Sequence, residues 1–198
     1  MKAAVLYGNE DIRYSDWETP VTRPGTVKVR VRATGICGSD VPRVLHNGAH
    51  FYPVVLGHEF SGDVVEAGEG VTNVAVGDTV SGAPLVPCMR CADCQHGNYA
   101  LCKHYSFIGS REQGSFADYV VMPAQNAVRY DPAIPYAQAA MFEPSTVALH
   151  GLRQNDYRGG GTVAVLGCGT IGIFTAQWAK IFGSQKLVVL DIDEGRLA

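Results

Sequence analysis

Four cysteines within fifteen residues have the spacing of a metal-binding lobe. They lie in the segment CMRCADCQHGNYALC and are Cys88, Cys91, Cys94 and Cys102. Four thiolates at such spacings can surround one tetrahedral Zn²⁺, which is a closed, structural site. A disulfide framework is the alternative, but cysteines two residues apart pair poorly, and the N-terminus does not resemble a secretory signal. The spacing therefore predicts a structural zinc site.

A second set of residues could form an open metal site. Cys37, in GICGSD, and His58, in GHEFSG, are both predicted at strand ends, where side chains can converge, and Glu143 lies in MFEPS. A thiolate, an imidazole and a carboxylate leave the fourth position of zinc for water or substrate, as catalytic zinc requires. Glu59 is an alternate ligand that could exchange during turnover. Taken singly, Cys37 also fits a small buried apolar residue, and His58 a hydrogen-bonded core histidine.

A glycine loop predicts dinucleotide binding. The segment GCGTIG follows a predicted strand and precedes a predicted helix, whose N-terminus would hold a pyrophosphate. Asp191 ends the next strand, where a carboxylate favours NAD over NADP, although Arg196 leaves room for NADP. A glycine-rich turn that binds nothing is the alternative. The predicted cofactor-binding residues are Gly167, Gly169, Thr170, Ile171, Gly172, Asp191 and Arg196.

The remaining patterns place these motifs on an α/β chain with a mainly-β N-terminal part. Short alternating strands separated by glycine turns predict a barrel-like β domain; they are 26–36, 62–67, 78–81 and 116–122. Residues 135–153 read as helical, with Val147, Leu149 and Leu152 as core residues. A βαβ unit follows, with a buried strand at 162–167, a helix at 171–182 and a strand at 186–191.

The final segment, DIDEGRLA, is predicted to open a second helix. Since a parallel sheet of two strands cannot bury both faces, the sequence predicts that the natural protein continues beyond residue 198.

Composition excludes several classes of protein. The 198 residues are 46% hydrophobic, with a net charge of −3, a pI near 6.0 and scattered basic residues, which argues against a nucleic-acid or membrane-surface protein. The cysteine lobe holds only Arg90 and Lys103 with Asp93, so a nucleic-acid-binding zinc ribbon is disfavoured. No apolar run reaches the ~20 residues of a membrane span, and a cytoplasmic protein is expected.

These motifs, in this order, resemble the zinc-dependent medium-chain dehydrogenase/reductase family. GICGSD, LGHEFSG, the cysteine lobe, FEP and GCGTIG all match its pattern. The resemblance implies a GroES-like β-barrel catalytic domain at residues 1–152 and the first βαβ of a Rossmann NAD-binding domain at 153–198. It also implies one catalytic and one structural zinc per chain, NAD as cofactor, and a homodimer or homotetramer.

Within the family, a glutamate at position 143 points to the polyol dehydrogenases. Two stretches, CGSDVPRVLHNGAHFYPVVLGHEFSG and CKHYSFIGSREQGSFADY, most resemble the galactitol-1-phosphate 5-dehydrogenase subfamily. This implies NAD-linked oxidation of galactitol 1-phosphate to tagatose 6-phosphate. The alternatives are a sorbitol, threonine or butanediol dehydrogenase, or a zinc-stabilised, non-catalytic fragment.

The resemblance also suggests how protons and substrate would be handled. Ser39 is placed to accept the substrate's hydroxyl proton. Many relatives carry a relay histidine where this chain has Pro42, so the onward path must differ here. Arg43 and Arg111 are candidates for a substrate phosphate, with solvated surface arginines as the alternative reading.

Overall fold

The computed structural model describes residues 1–197. Its strands are β1 (Lys2–Gly8), β2 (Asp11–Asp16), β3 (Thr26–Gly35), β4 (Val54–Val55), β5 (Glu59–Ala67), β6 (Thr79–Gly82), β7 (Leu85–Val86), β8 (Ser106–Phe107), β9 (Tyr119–Pro123), β10 (Ala127–Arg129), β11 (Thr162–Leu166) and β12 (Lys186–Leu190). Its helices are α1 (Asp40–Pro42), α2 (Ala92–Gln95), α3 (Tyr136–Ala140), α4 (Phe142–Gln154) and α5 (Thr170–Ile181). A π-helical turn at Arg43–Asn47 and 3₁₀ turns at Tyr99–Leu101, Ala124–Asn126 and Glu194–Arg196 complete the elements of the described residues.

The chain divides into two compact units, Met1–Met141 and a second that begins at Phe142. This division lies eleven residues before the boundary predicted after residue 152. The reason is that α4 packs against α5, where the indole N–H of Trp178 donates to the Ser145 hydroxyl at 3.0 Å and carbonyl at 3.1 Å.

The first unit is an antiparallel β structure around an aliphatic core. Five strands form one sheet in the order β10-β6-β5-β3-β9, and three form another in the order β2-β1-β4. In strand β3, Val27 and Val29 are fully buried, while Lys28 and Arg30 lie on the opposite face, where Lys28 is partly buried and Arg30 is exposed. Phe60 of β5 packs in the same core. The alternation therefore determines which face of the sheet packs in the core.

The second unit contains a parallel βαβ arrangement. β11 pairs in parallel with β12, and α5 connects them. The prediction that β11 is a buried strand is wrong: only Val165 is buried, and Leu166 is 83% exposed. One crossover helix covers only one face of the strand pair formed by the described residues, so apolar side chains on the other face meet solvent.

Three helical predictions are also corrected. The stretch 135–153, predicted to be helical, is interrupted at residue 141, so Pro144 lies in the first turn of α4, where proline is tolerated. In α4 Val147 is 48% exposed and Leu149 is only partly buried, whereas Ala148 and Leu152 are buried. In the segment predicted to open a further helix, the residues up to 197 form only the 3₁₀ turn Glu194–Arg196. In residues 1–197, no helix combines the length and apolarity needed to cross a bilayer.

Candidate metal and cofactor sites

A thiol, an imidazole and a carboxylate meet where β3 and β5 lie side by side. Gly35, the last residue of β3, pairs with Glu59, the first of β5, so the antiparallel register brings Cys37 and His58 to the same edge of the sheet. The ligand atoms of Cys37, His58 and Glu59 lie within 4.8 Å of one another. We call these three residues the Cys–His–Glu cluster. A Cβ at Gly35 would overlap the Glu59 carboxylate, so a glycine there leaves room for it.

The Cys–His–Glu cluster suits zinc by its donor set. Thiolate sulfur, imidazole nitrogen and carboxylate oxygen bond zinc at about 2.0–2.3 Å, so three such atoms around one ion lie roughly 3–4 Å apart. Small side-chain shifts would bring the observed atoms to that spacing. Burial raises the pKa of the Cys37 thiol and lowers the pKa of the His58 imidazole. Both groups therefore favour their neutral forms, and a bound cation would convert the thiol to the thiolate that zinc requires.

Asp40 supports the cluster, and the sequence analysis missed it. Its side chain is 2% exposed, and its Oδ2 accepts the backbone N–H of Cys37 at 3.0 Å. Its Oδ1 lies 3.7 Å from Nδ1 of His58, and neither atom has a hydrogen-bond partner among the described residues. Burial raises the pKa of the Asp40 carboxyl. A carboxylate behind a ligating histidine orients the ring, so the aspartate of GICGSD was the available signal.

Glu143, the third ligand predicted from sequence, lies in the first turn of α4 and belongs to the second unit. The structure brings Glu59, the predicted alternate ligand, together with Cys37 and His58. The ligand role of Glu143 stays a prediction.

Ser39 and Arg43 lie next to the Cys–His–Glu cluster. The backbone N–H of Ser39 points to Sγ of Cys37 at 3.5 Å. One guanidinium nitrogen of Arg43 donates to the Ser39 hydroxyl at 2.9 Å and to the Ser39 carbonyl at 3.1 Å. The same nitrogen lies 3.8 Å from Oδ1 of Asp40. The arginine predicted to meet a substrate phosphate is therefore bonded to the residue predicted to move the proton.

Arg111 is placed differently. It lies in the turn that follows Phe107, whose ring packs edge-on against His58 with centroids 5.5 Å apart. The Arg111 side chain is exposed, and its guanidinium lies over the Tyr105 ring at 4.7 Å. An exposed cation one turn from the Cys–His–Glu cluster remains available to an anionic group.

The cysteine lobe, residues 88–102, folds so that all four sulfurs converge. Their Sγ atoms lie within 4.8 Å of one another; the Cys88–Cys94 and Cys91–Cys102 pairs are 4.0 and 3.9 Å apart. Sulfurs at the corners of a tetrahedron with Zn–S bonds of about 2.3 Å are separated by about 3.8 Å. A disulfide needs about 2.05 Å, and all four are free thiols. The arrangement thus fits the metal reading rather than the disulfide framework.

Two thiols of the lobe, Cys88 and Cys94, differ in acidity. The backbone N–H of Arg90 lowers the pKa of Cys88 to about 6, whereas burial raises the pKa of Cys94 to about 12. A cation at the centre of the lobe would favour the thiolate form of all four.

The glycine loop has the geometry that phosphate binding requires. Gly167 has φ +101°, a left-handed conformation that favours glycine. A Cβ at Gly172 would overlap the carbonyl of Gly167, so this glycine lets α5 pack tightly onto the loop. Gly169 is the N-cap of α5, and Thr170 and Ile171 form its first turn. Free N–H groups at this end of α5 are the donors that a pyrophosphate would need.

Asp191 follows β12 and faces the glycine loop. Its Oδ2 accepts the N–H of Cys168 at 2.6 Å, and its Oδ1 accepts the N–H of Asp193 at 2.9 Å. The bond from Cys168 is the largest cause of a lowered Asp191 pKa. Arg196 lies 3.9 Å from this carboxylate and 3.5 Å from Asp193. Asp191 is thus a fixed anion beside the loop, and each of its oxygens keeps a lone pair for a ribose hydroxyl.

Comparison with known proteins identifies what this architecture is similar to. A family model, the alcohol dehydrogenase GroES-like domain, matches residues 23–132, which confirms the predicted fold class of the β domain. Galactitol 1-phosphate 5-dehydrogenase of Escherichia coli K12 is 38% identical over 199 residues, covering 100% of this chain and 58% of that protein. This chain therefore spans less than two thirds of its relative.

Two solved structures agree closely with the backbone. The crystal structure of galactitol-1-phosphate dehydrogenase from Escherichia coli matches with a TM-score of 0.95 and 37% identity, covering 100% of this chain and 57% of that one. The crystal structure of a short chain alcohol dehydrogenase from Escherichia coli CFT073, complexed with NADH, matches with a TM-score of 0.93 and 34% identity, covering 100% of this chain and 58% of that one.

Proposed function

The chain belongs to the alcohol dehydrogenase GroES-like family, and we propose that it carries the metal-binding part of a zinc-dependent, NAD-linked polyol-phosphate dehydrogenase. The reaction is oxidation of a secondary alcohol to a ketone, with galactitol 1-phosphate as substrate and tagatose 6-phosphate as product. The observation that carries the proposal is the convergence of the Cys37, His58 and Glu59 ligand atoms within 4.8 Å. The similarity to a galactitol 1-phosphate 5-dehydrogenase supports the choice of substrate.

The residues of the first unit divide the metal chemistry between two sites. The Cys–His–Glu cluster would hold the reactive zinc, and the cysteine lobe would hold the structural one. Glu143, in the second unit, stays a candidate ligand from sequence. When bound at the cluster, zinc supplies Lewis-acid chemistry that lowers the pKa of an alcohol hydroxyl toward neutrality.

Ser39 handles the proton in this proposal. Its hydroxyl accepts the proton of the substrate hydroxyl and releases its own to water, so that one proton leaves in each oxidation. When bound, NAD would supply the hydride acceptor, so the alcohol carbon would lose its hydrogen with both bonding electrons and become the ketone carbon. Ser39 is exposed beside Cys37, as a proton exit to solvent requires.

The second unit would bind the dinucleotide. The N–H groups at the start of α5 suit the pyrophosphate, and the Asp191 carboxylate, held by two backbone N–H groups, would repel a 2′-phosphate. NAD is therefore the proposed cofactor. Arg111 is the proposed contact for the substrate phosphate. Its guanidinium is exposed, and its turn also contains Phe107, whose ring packs against His58.

The test measures metal content and NADH formation together. Elemental analysis should find two zinc ions per chain, and NADH should form faster with galactitol 1-phosphate than with galactitol, sorbitol, threonine or 2,3-butanediol. Cys37→Ala should lose one zinc and all turnover and keep the lobe zinc. The matched control is Val21→Ala, which shortens an exposed side chain outside both metal sites and the glycine loop. Full activity of Cys37→Ala would refute the metal assignment, and equal rates on free and phosphorylated polyols would refute the substrate.

A further inference from the structure

Arg43 is bound to the residue proposed to move the proton. One guanidinium nitrogen donates to the Ser39 hydroxyl at 2.9 Å and to the Ser39 carbonyl at 3.1 Å. The Arg43 side chain is only 26% exposed, and it lies 3.8 Å from the buried carboxylate of Asp40. An arginine held by a hydroxyl, a carbonyl and a carboxylate is not a free surface cation.

The turn that carries Arg43 is held by hydrogen bonds from the turn between β1 and β2. The backbone N–H of Glu10 donates to the carbonyl of Val44 at 2.7 Å, and the Asn9 side-chain amide donates to the carbonyl of His46 at 3.0 Å. Tyr52 in turn donates its hydroxyl proton to the Asn9 side chain at 2.9 Å. The β1–β2 turn therefore fixes the π-helical turn Arg43–Asn47, and with it the base of the arginine side chain.

A hydroxyl that relays a proton needs one free lone pair to accept and one O–H to release. The serine oxygen has two lone pairs, and the bond from Arg43 occupies one of them. One acceptor and one donor remain, and the bond fixes the rotamer in which they point. Arginine stays protonated at every physiological pH, so it cannot take the proton itself. Pro42, the adjacent residue, has no side-chain donor or acceptor.

We propose that Arg43 is a positioning residue for proton transfer, which holds the Ser39 hydroxyl in the orientation that accepts the substrate proton. This inference rests on the proposed function and deepens it. It reassigns Arg43 from a phosphate contact to the proton path and leaves Arg111 to meet the phosphate.

The kinetic test compares Arg43→Met, Arg43→Lys, Ser39→Ala and the Ser39→Ala/Arg43→Met double variant. Arg43→Met should lower kcat about 10- to 100-fold, as misplacement of a reacting group does. The loss should be equal on phosphorylated and free polyol, with KM within about twofold. The double variant should be no slower than Ser39→Ala, because Arg43 acts through Ser39. Arg43→Lys, which keeps a charged donor, should recover part of kcat. The matched control is Arg13→Met, an exposed arginine paired with Asp11.

Three kinetic or metal results would overturn the inference. One is a KM increase of tenfold or more on the phosphorylated substrate alone, with kcat unchanged, since that is the signature of a phosphate anchor. Another is full additivity in the double variant. The third is loss of zinc from Arg43→Met by elemental analysis, which would show that Arg43 acts on the metal ligands.

A readout that needs no turnover separates this inference from the proposed function. Nuclear magnetic resonance of the Arg43 guanidinium should show N–H exchange at least fivefold slower in the parent protein than in Ser39→Ala. Equal exchange rates would refute the contact even if the protein is an active dehydrogenase. If the parent forms no NADH with any polyol, the proposed function fails, and the exchange rates still decide whether Arg43 holds Ser39.

Discussion

Replacing Asp40 with alanine is expected to weaken zinc binding at the Cys–His–Glu cluster by about 10- to 100-fold, the usual effect of removing a group that orients a metal ligand. Asp40 accepts the backbone N–H of Cys37 at 3.0 Å and lies 3.7 Å from Nδ1 of His58. One change therefore removes a support from two of the three ligands.

The magnitude follows from the burial of these groups. A buried donor left without an acceptor costs about 1–3 kcal/mol, and the N–H of Cys37 would lose its acceptor. A 10- to 100-fold change in affinity corresponds to about 1.4–2.7 kcal/mol, which is of the same order as that cost. Asp40→Asn keeps an oxygen for the Cys37 N–H and loses the charge near His58 and Arg43. It should fall between the parent and Asp40→Ala.

The assay is a zinc titration in competition with a chromophoric chelator, in which the cysteine lobe serves as an internal reference. The lobe affinity should stay constant in both Asp40 variants. Asp156→Asn, a change in an exposed aspartate paired with Arg158, is the matched control. If Asp40→Ala binds zinc at the cluster within twofold of the parent, the orienting role is refuted.

Three further predictions concern the other sites. Cys94→Ala should release the lobe metal and lower Tm, because binding free energy at a structural zinc is also folding free energy. Elemental analysis gives the zinc content, and thermal denaturation with and without a chelator gives Tm. An unchanged zinc content would contradict this prediction. Gly172→Ala should weaken NADH binding by more than about tenfold, because its Cβ would overlap the Gly167 carbonyl and displace the glycine loop. Fluorescence titration gives the Kd, and a Kd equal to that of the parent protein would contradict this prediction. Asp191→Asn should destabilise the protein at neutral pH, because the Cys168 N–H lowers the carboxyl pKa below its ordinary 3.8. That stabilisation is fully present above pH 3.8 and is lost as pH falls through the lower folded pKa. The free energies of unfolding of parent and variant, measured with urea, should therefore converge in acid. A difference between these free energies that does not depend on pH would contradict the prediction.

Local patterns were sufficient for most of the architecture. The alternation of Val27 and Val29 with charged residues predicted β3, and the strand–glycine–helix order predicted the βαβ unit, because both signals depend on neighbours along the chain. The cysteine spacing likewise predicted a lobe whose sulfurs converge, since a short loop confines all four. Errors arose where burial depends on other elements: Val147 and Leu166 are exposed because no described element covers them.

The sequence by itself determined which candidate ligand types this protein has and which strand ends they lie near. Only the tertiary structure decided that Glu59 lies with Cys37 and His58, since that depends on the pairing of Gly35 with Glu59 across two strands. The same holds for Asp40, whose Oδ1 lies 3.7 Å from Nδ1 of His58, and for Arg43, which donates to the Ser39 hydroxyl. Residue spacing limits how far apart two side chains can be along the chain. Contacts between residues that are distant in sequence depend on how the strands pair in the folded protein.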